Sequence, residues 1–366
     1  MTAVRWRNCA RRFALRDLWG KSDSRGTSIP TNGAALRRFT AASVLQALCY
    51  NVTCLNEAEI GAVVWGKRTR KQRRAALQCG VTLMIAGLFA FGELPPAAAV
   101  EKINVVAAEN MYGDIAAQIV GKDASVASLI SNPAQDPHLF EASPSAVRRI
   151  ADAQIVIVNG ADYDPWIEKL LKANPNPKRI VITAATLMGS KPGDNPHLWY
   201  DPATMPRVAN AVAATLSAAD PGHATDYATN LDTLLVSLGS IDARVTALRE
   251  KYRGTAVTAT EPVFGPMARA LGLTMRDEGF QIAVMNGTEP SAHDLAEMER
   301  DLKERKVKAF FYNSQISEPL ATRLRDLARA SDIPIVPVTE TLPAGMHFKD
   351  WILSELGATG EALSGK

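Results

Sequence analysis

The sequence predicts an α/β protein with two lobes, each built on a parallel sheet, joined by a long rigid helix. Short apolar runs alternate with amphipathic stretches, which is the pattern of strands and helices in parallel sheets. Apolar residues then recur every three or four positions over residues 224–252, which predicts one long helix of about 40 Å. The 366 residues also exceed the size of one average domain.

Charge and cysteine are distributed unevenly along the chain. Residues 1–100 hold 15 lysines and arginines against 5 acidic residues, whereas the remainder holds 26 against 33. The formal net charge of +3 therefore hides an acidic globular part, which argues against a nucleic-acid-binding protein. All four cysteines precede residue 100 and fit no Cys-x-x-Cys zinc pattern. A mature chain without thiols suits an oxidising compartment.

Residues 67–99 have the three parts of a secretory signal peptide. A basic cluster at 67–74 precedes an apolar run at 81–91, and small residues follow at 97–99. The apolar run is too short to span a bilayer as a helix, which needs about 20 residues. An uncleaved anchor is the alternative. The signal predicts export to the periplasm.

Residues 1–66 precede this signal and form an arginine-rich extension without sustained periodicity. A signal peptide begins near the N-terminus of its protein. We therefore expect translation to start near Val63 or Val64. The extension itself has no functional explanation in the sequence.

The first lobe is predicted at residues 101–220. Its strands are expected at 103–108, 126–130, 155–160 and 179–183, separated by helices at 109–120, 144–153, 163–173 and 202–219. Ser143 and Pro144 have the residue types of a helix N-cap and first helical position. The alternation predicts a parallel sheet, in which ligands bind at the carboxyl ends of the strands.

The linking helix is predicted at residues 224–252 and the second lobe at residues 253–366. Strands are expected at 256–260, 307–312 and 333–338, with helices at 264–271, 292–306 and 319–330. The second lobe therefore repeats the strand and helix alternation of the first.

Two segments share the pattern x-Pro-His-Leu-aromatic, at residues 136–140 and 195–199. They place His138 and His197 in matching frames, and the chain has only five histidines. Proline restricts the backbone before each imidazole, and neutral imidazole is the commonest metal ligand in proteins. One such segment would be ordinary loop sequence. Two in the same frame, both following predicted strands, favour a metal site.

Two glutamates follow predicted strands of the second lobe. Glu261 lies between a strand and the start of a helix, and Glu340 follows the last strand. A solvated loop acid is the commoner interpretation of either residue alone. The tight position of Glu261 favours a ligand role.

Residues 103–366 resemble the cluster A-I substrate-binding proteins of zinc and manganese ABC importers, a periplasmic solute-binding family. The resemblance rests on the opening strand, the two Pro-His segments, the long helix, and the segments 258–264, 289–291 and 339–340. It implies two α/β lobes with one metal ion in the cleft between them, and the ligands His138, His197, Glu261 and Glu340. Two departures stand out: Glu340 replaces the usual aspartate, and Asn313 occupies a position where many relatives carry an acid. The zinc-specific branch often has a histidine-rich loop in the first lobe, whereas residues 188–194 contain no histidine.

The resemblance implies a periplasmic protein that captures Zn²⁺ or Mn²⁺ and delivers it to an inner-membrane ABC permease, as a monomer without enzymatic activity. Fe²⁺ ranks behind these metals. Two imidazoles and two carboxylates leave the metal open, because zinc outcompetes manganese in most nitrogen and oxygen sites. Protonation of imidazole predicts metal release at mildly acid pH. The alternatives are a metal-dependent enzyme with a site of two histidines and a carboxylate, or a surface adhesin or metal scavenger with the same fold.

Overall fold

Two four-stranded sheets, each with all strands parallel, organise the structure. The computed structural model describes residues 102–132, 140–315 and 318–365. The predicted extension at 1–66, the predicted signal peptide at 67–99 and His138 lie outside these residues. The described residues belong to one compact unit that spans Ala99–Lys366.

The two sheets have the same strand order. The first is ordered β2-β1-β3-β4 and the second β6-β5-β7-β8. The strands are β1 (Asn104–Glu109), β2 (Ser125–Ile130), β3 (Ile155–Val158), β4 (Ile180–Thr183), β5 (Ala256–Ala259), β6 (Thr274–Met275), β7 (Phe310–Asn313) and β8 (Ile335–Val338). In each sheet the chain extends to one side of its first strand and then crosses to the other side. This order opens a ligand-binding crevice at the carboxyl ends of β1 and β3, and another at those of β5 and β7.

Helices flank both sheets. They are α1 (Asn110–Val120), α2 (Pro144–Asp152), α3 (Pro165–Ala173), α4 (Ala184–Met188), α5 (Thr204–Ala219), α6 (Ala224–Tyr252), α7 (Gly265–Ala270), α8 (Glu278–Met285), α9 (Ala292–Lys303), α10 (Pro319–Ala330) and α11 (Phe348–Ser364). Short 3-10 turns cover Leu198–Tyr200, Pro221–His223 and Pro262–Phe264. We call β1–β4 with α1–α5 the first lobe, and β5–β8 with α7–α11 the second lobe. None of the helices in the described ranges has the length and apolarity that a membrane span requires.

The predicted α/β class and the long helix are confirmed. The structure differs at element ends for local reasons. Helix α3 begins at Pro165 rather than at residue 163, because Asp164, the residue before this proline, has a non-helical backbone with φ of −121° and ψ of 51°. Helix α9 ends at Lys303 because Arg305, with φ of 53°, cannot continue it. Strand β6 and helices α4, α8 and α11 lie outside the predicted ranges.

Helix α6 holds the two lobes together through a continuous apolar core. Its buried side chains are Tyr227, Leu234, Leu238, Ile241, Val245 and Leu248. They belong to one hydrophobic cluster that includes Val105 of β1 and Trp351 of α11. Because this cluster is shared, each lobe is packed against the same helix and the cleft between them has a defined geometry.

Candidate metal site between the lobes

His197 is buried and held in one orientation by its neighbour Asn195. Its Nδ1 atom lies 2.8 Å from Asn195 Oδ1, and its backbone N–H donates to the same oxygen at 3.0 Å. Asn195 Nδ2 donates to the carbonyl oxygen of Pro262 at 2.7 Å, which assigns the orientation of the amide. An amide oxygen only accepts hydrogen bonds, so Nδ1 carries the proton and neutral His197 has a free electron pair on Nε2.

That electron pair faces a carboxylate of the other lobe. Nε2 of His197 lies 3.6 Å from Oε2 of Glu340, and both side chains are almost fully buried. The hydroxyl of Tyr163 donates to the same Oε2 at 3.0 Å. Glu340 therefore meets two groups of the first lobe at one oxygen.

Asn313 joins the two predicted carboxylates of the second lobe. It ends β7, and its Nδ2 donates to Glu261 Oε2 at 2.6 Å and to Glu340 Oε1 at 2.7 Å. Its backbone N–H donates to Thr260 Oγ1 at 3.2 Å. The carboxyl ends of three parallel strands, β5, β7 and β8, thus bring two acids and one amide together.

Aromatic side chains surround these polar groups. Tyr163, His197 and Trp199 pack edge to face, with ring centroids 4.8–5.9 Å apart. Tyr200 continues this packing toward Phe264 of the second lobe at 5.4 Å. Such walls exclude water, which strengthens electrostatic interactions at the site.

Burial and nearby acids change the ionisation of Tyr163. Burial, with the negative charges of Glu340 and Glu109, raises its pKa well above the usual value. The hydroxyl therefore stays protonated at physiological pH and acts as a hydrogen-bond donor to Glu340.

A cavity of about 550 Å³ lies beside these residues, between the lobes. Its first-lobe wall includes Asp194, Asn195 and Pro196, and its second-lobe wall includes Pro262 and Gly265. Asn195 is therefore exposed to the cavity on one side and bonded to His197 on the other. The cavity borders the polar cluster without containing His197 or Glu340 in its lining.

The structure brings three of the four predicted ligands into one network. His197 faces Glu340, and Asn313 connects Glu340 to Glu261. His138 lies outside the described residues. Within the described ranges, no three histidine, cysteine, aspartate or glutamate side chains are close enough to hold a metal ion as they stand.

Sequence reasoning missed the residues that orient the predicted ligands. Asn195 is part of the second Pro-His segment but was not assigned a role, and Tyr163 was treated as a helical residue. Their functions depend on contacts between lobes, at sequence separations of 67 and 177 residues. Only the position of Asn195, immediately before a Pro-His pair, could have drawn attention to it.

The remaining histidines have partners elsewhere. His223 Nδ1 bonds Asp220 Oδ2 at 2.6 Å, and His347 Nδ1 bonds Asp114 Oδ1 at 2.7 Å. His293 is exposed on α9, 3.8 Å from a carboxylate oxygen of Glu297. All three side chains reach the protein surface.

Known proteins share both the sequence pattern and the architecture. The zinc-binding protein TroA of Treponema pallidum is 26% identical over 269 residues, which cover 71% of this chain and 85% of TroA. The manganese-binding lipoprotein MntA of Bacillus subtilis is 25% identical over 233 residues, which cover 60% of this chain and 73% of MntA.

The solved structure of the periplasmic zinc-binding protein TroA from Treponema pallidum has the same fold. It superposes with a TM-score of 0.62 at 22% identity and covers 72% of this chain and 99% of that one. The family model of ZnuA, the periplasmic zinc-uptake complex component A, matches residues 105–358, which include both sheets and the long helix. The chain therefore belongs to the ZnuA family.

Proposed function

We propose that this protein is a periplasmic substrate-binding protein that captures a divalent transition metal, Zn²⁺ or Mn²⁺, and delivers it to an inner-membrane ABC permease. Membership of the ZnuA family supports this function, as do the zinc-binding and manganese-binding relatives. The metal is cargo, and its proposed ligands are His138, His197, Glu261 and Glu340. The lobes that supply them are proposed at residues 101–220 and 253–366.

The observation that carries the proposal is the approach of His197 Nε2 to Glu340 Oε2 at 3.6 Å. A tetrahedral cation that binds nitrogen and oxygen at about 2.0–2.2 Å holds those two atoms about 3.4 Å apart. The pair is thus spaced for one shared cation after a small adjustment. Glu261 and Glu340 together supply two negative charges that match a divalent ion.

Asn195 and Asn313 support the same role as outer partners of the ligands. Asn195 fixes the ring and the tautomer of His197, and Asn313 holds Glu261 and Glu340 at a common position. Outer hydrogen bonds of this kind orient metal ligands, and their loss typically costs about 10- to 100-fold in affinity. The hydrogen bonds therefore preorganise the ligands before the metal arrives.

Transport is favoured over catalysis. Four protein ligands fill the coordination sphere of a tetrahedral ion, whereas catalytic zinc sites keep an open position for water or substrate. We also infer that the protein acts as a monomer, with the metal and the permease as its partners. A surface adhesin or metal scavenger with this fold would bind metal equally well. Only a transport protein would also deliver the metal to a permease.

The test is metal content and affinity, measured by elemental analysis and by competition with a chromogenic chelator. We expect one Zn²⁺ or Mn²⁺ per wild-type chain, with affinity reduced in His197→Ala by more than the roughly 100-fold upper range for an outer partner. His138→Ala should behave likewise. The matched control is His223→Ala, which removes a histidine bonded to Asp220 and should leave affinity unchanged. Wild-type metal content in both His138→Ala and His197→Ala would contradict the proposed site.

Delivery is tested with the permease. Cells that lack this chain should lose uptake of the bound metal, and the wild-type gene should restore uptake while the His197→Ala gene should not. Full uptake without the chain would favour the scavenger.

A further inference from the structure

The cavity between the lobes is separate from the proposed metal ligands. Its volume of about 550 Å³ lies within the range of about 300–1,000 Å³ that is typical of small-molecule sites. Neither His197 nor Glu340 lines it. Both lobes contribute walls, so a molecule bound there would contact the first and the second lobe together. The side chains of these walls indicate the class of that molecule.

The second lobe supplies an apolar wall. The cavity is lined there by Leu273, by Met275 of β6, and by Ile282 and Met285 of α8. Ile282 is 48% exposed, which makes it one of the few large apolar side chains in the described ranges with so much contact with solvent. Exposed apolar surface of this kind favours contact with an apolar part of a ligand. Methionine side chains are flexible, so this wall can fit apolar groups of different shapes.

The charged side chains of the walls are mostly acidic. Asp162 and Asp194 lie on the first-lobe wall, and Glu278 lies on the second-lobe wall. Among the described residues that line the cavity, Arg269 is the one lysine or arginine. Asp162, Glu278 and Arg269 form no side-chain hydrogen bond or ion pair within the described ranges, so their charges are available to a ligand. Three carboxylates against one guanidinium favour a ligand with a positive charge.

Gln281 adds a hydrogen-bond acceptor to the cavity wall. Its side chain lines the cavity although it is only 1% exposed. Its Nε2 donates to the carbonyl oxygen of Arg276 at 2.6 Å, which assigns the orientation of the amide. Its Oε1 accepts no hydrogen bond from the described residues. Because buried amide oxygens in native proteins nearly always have a donor, this oxygen indicates a donor inside the cavity. An ammonium group has three N–H donors and a positive charge.

Two other classes of ligand fit these walls less well. An anionic molecule would meet three carboxylates and a single guanidinium. A bare divalent ion would leave the apolar wall uncovered, and within the described ranges no three histidine, cysteine, aspartate or glutamate side chains are close enough to hold one. An organic cation uses the carboxylates, the amide oxygen and the apolar wall together.

We propose that the cavity binds a small organic cation, in which a primary ammonium group is attached to an apolar body. The ammonium group donates to Gln281 Oε1 and is attracted by the three carboxylates, while the apolar body lies against the second-lobe wall. Asn195 lines the same cavity and bonds both His197 and Pro262, so the ligand lies at a junction of the two lobes. This second site does not depend on the proposed metal transport.

The experiment measures the binding of phenethylammonium to the metal-free protein by isothermal titration calorimetry. Hydrocinnamate has the same apolar body with a negative charge, and methylammonium has the charge without the body. We expect both to bind at least about tenfold more weakly than phenethylammonium, on the scale of one lost hydrogen bond to a charged group. The methyl NMR signals of Met275 and Met285 should shift on binding, whereas that of Met298, buried in the second-lobe core, should not. Equal affinity for the three probes, or unshifted signals of both cavity methionines, would overturn the inference.

Charge variants at the cavity wall should have opposite effects. Asp162→Asn removes one carboxylate and keeps a residue type that tolerates the φ of 63° at this position, so the affinity for phenethylammonium should fall several-fold. Arg269→Gln removes the repelling guanidinium, so the affinity should rise several-fold. The matched control is Asp242→Asn, which removes an exposed carboxylate on α6 outside the cavity lining and should keep the wild-type affinity.

Gln281→Met tests the amide oxygen, because methionine fills similar space without an acceptor. The affinity for phenethylammonium should fall about tenfold. Gln281 also donates to Arg276, so thermal unfolding of the free variant checks that it folds; if it does not, the opposite effects of Asp162→Asn and Arg269→Gln decide the question. Wild-type affinity in folded Gln281→Met, or a change in the same direction in both charge variants, would contradict the site. None of these measurements involves a metal ion, so a failure of the proposed metal transport would leave their outcome unchanged.

Discussion

Glu355 on α11 is a buried glutamate that lies outside the candidate site. Its Oε1 accepts the indole N–H of Trp351 at 2.8 Å and the backbone N–H of Thr339 at 3.3 Å. Burial raises its pKa to about 8, although these hydrogen bonds oppose the shift. The folded protein therefore holds this carboxyl as a neutral acid at pH 7.

Replacing Glu355 should remove a pH-dependent loss of stability. Its folded pKa of about 8 exceeds the unfolded value, so the folded state binds more protons between about pH 4.5 and 8. The wild-type free energy of unfolding should fall as pH rises through that window, by up to about 1.4 kcal/mol per unit. Glu355→Gln should lack this component, so its melting temperature relative to wild type should rise from pH 5 to pH 8. If the difference in melting temperature between Glu355→Gln and wild type is the same at pH 5 and pH 8, Glu355 does not titrate in this way.

Asn313 should set the stability of the metal-free site. Asn313→Asp replaces a donor to two carboxylates with a third acid. We therefore expect the free energy of unfolding of the metal-free protein to fall by about 1–3 kcal/mol, and its melting temperature to fall with it. A divalent ion offsets the added repulsion, so the rise in melting temperature on metal addition should exceed that of wild type. Differential scanning fluorimetry with and without Zn²⁺ or Mn²⁺ measures both. Asn313→Ala is the control, since it removes the hydrogen bonds without adding charge; an equal metal-induced rise in both variants would contradict the prediction.

At this scale the sequence identified residue types better than it identified contacts. His197 and Glu261 were predicted from their positions after strands and Glu340 from the family resemblance, and all three lie in one network. Glu109 also ends a strand, but one acid at the end of an apolar run gives no sign of whether it is buried. That depends on β1 lying between β2 and β3, which pairing across the sheet determines.

Two glycines in helices show how packing decides the effect of one methyl group. Gly239 lies within α6, and a β-carbon added there meets nothing within 4 Å. Gly113 lies in α1, and a β-carbon there would be 2.1 Å from the hydroxyl oxygen of Ser128 on β2. Helix α6 is exposed at Gly239, whereas α1 is in close contact with the first sheet at Gly113.

Gly239→Ala should stabilise the protein by about 0.5–1 kcal/mol, because alanine loses less backbone entropy in a helix. Gly113→Ala should destabilise it, because Ser128 or the helix must move. Urea unfolding of the metal-free proteins measures both, and metal affinity should stay at the wild-type value in Gly239→Ala. A loss of stability in Gly239→Ala would show that α6 is not free at this surface.

Periodicity was sufficient for elements with long repeats and insufficient for short ones. The long helix α6 was predicted over its full length, because its apolar residues repeat through many turns. Strand β6 has two residues, Thr274–Met275, and is formed by pairing with β5 rather than by any local pattern. Similarly, Arg305, the left-handed residue that follows α9, is not a glycine, so composition gave no warning of it.

The molecule as a whole is held by contacts that cross between its lobes near the site. Tyr200 donates to the carbonyl oxygen of Thr339 at 2.7 Å, and Asn195 donates to that of Pro262 at 2.7 Å. Farther away, Asp114 of α1 accepts the backbone N–H of Phe348 at 2.9 Å, at the start of α11. A carboxylate of the first lobe thus caps helix α11 of the second lobe. This hydrogen bond couples the relative position of the two lobes to the capping of α11.

Removing this cap should affect metal binding from a distance. Asp114→Ala leaves the first turn of α11 without its side-chain acceptor and should lower the free energy of unfolding by about 1–2 kcal/mol. Because the lobes then sample more arrangements, the cation must also order them, and its affinity should fall several-fold. Denaturant unfolding and chelator competition measure the two effects. Ser291→Ala is the matched control, because Ser291 caps α9 within the second lobe by accepting the backbone N–H of Asp294 at 3.1 Å. It should lose comparable stability but keep wild-type affinity, so wild-type affinity in Asp114→Ala would show that the cap stabilises the fold without controlling the cleft.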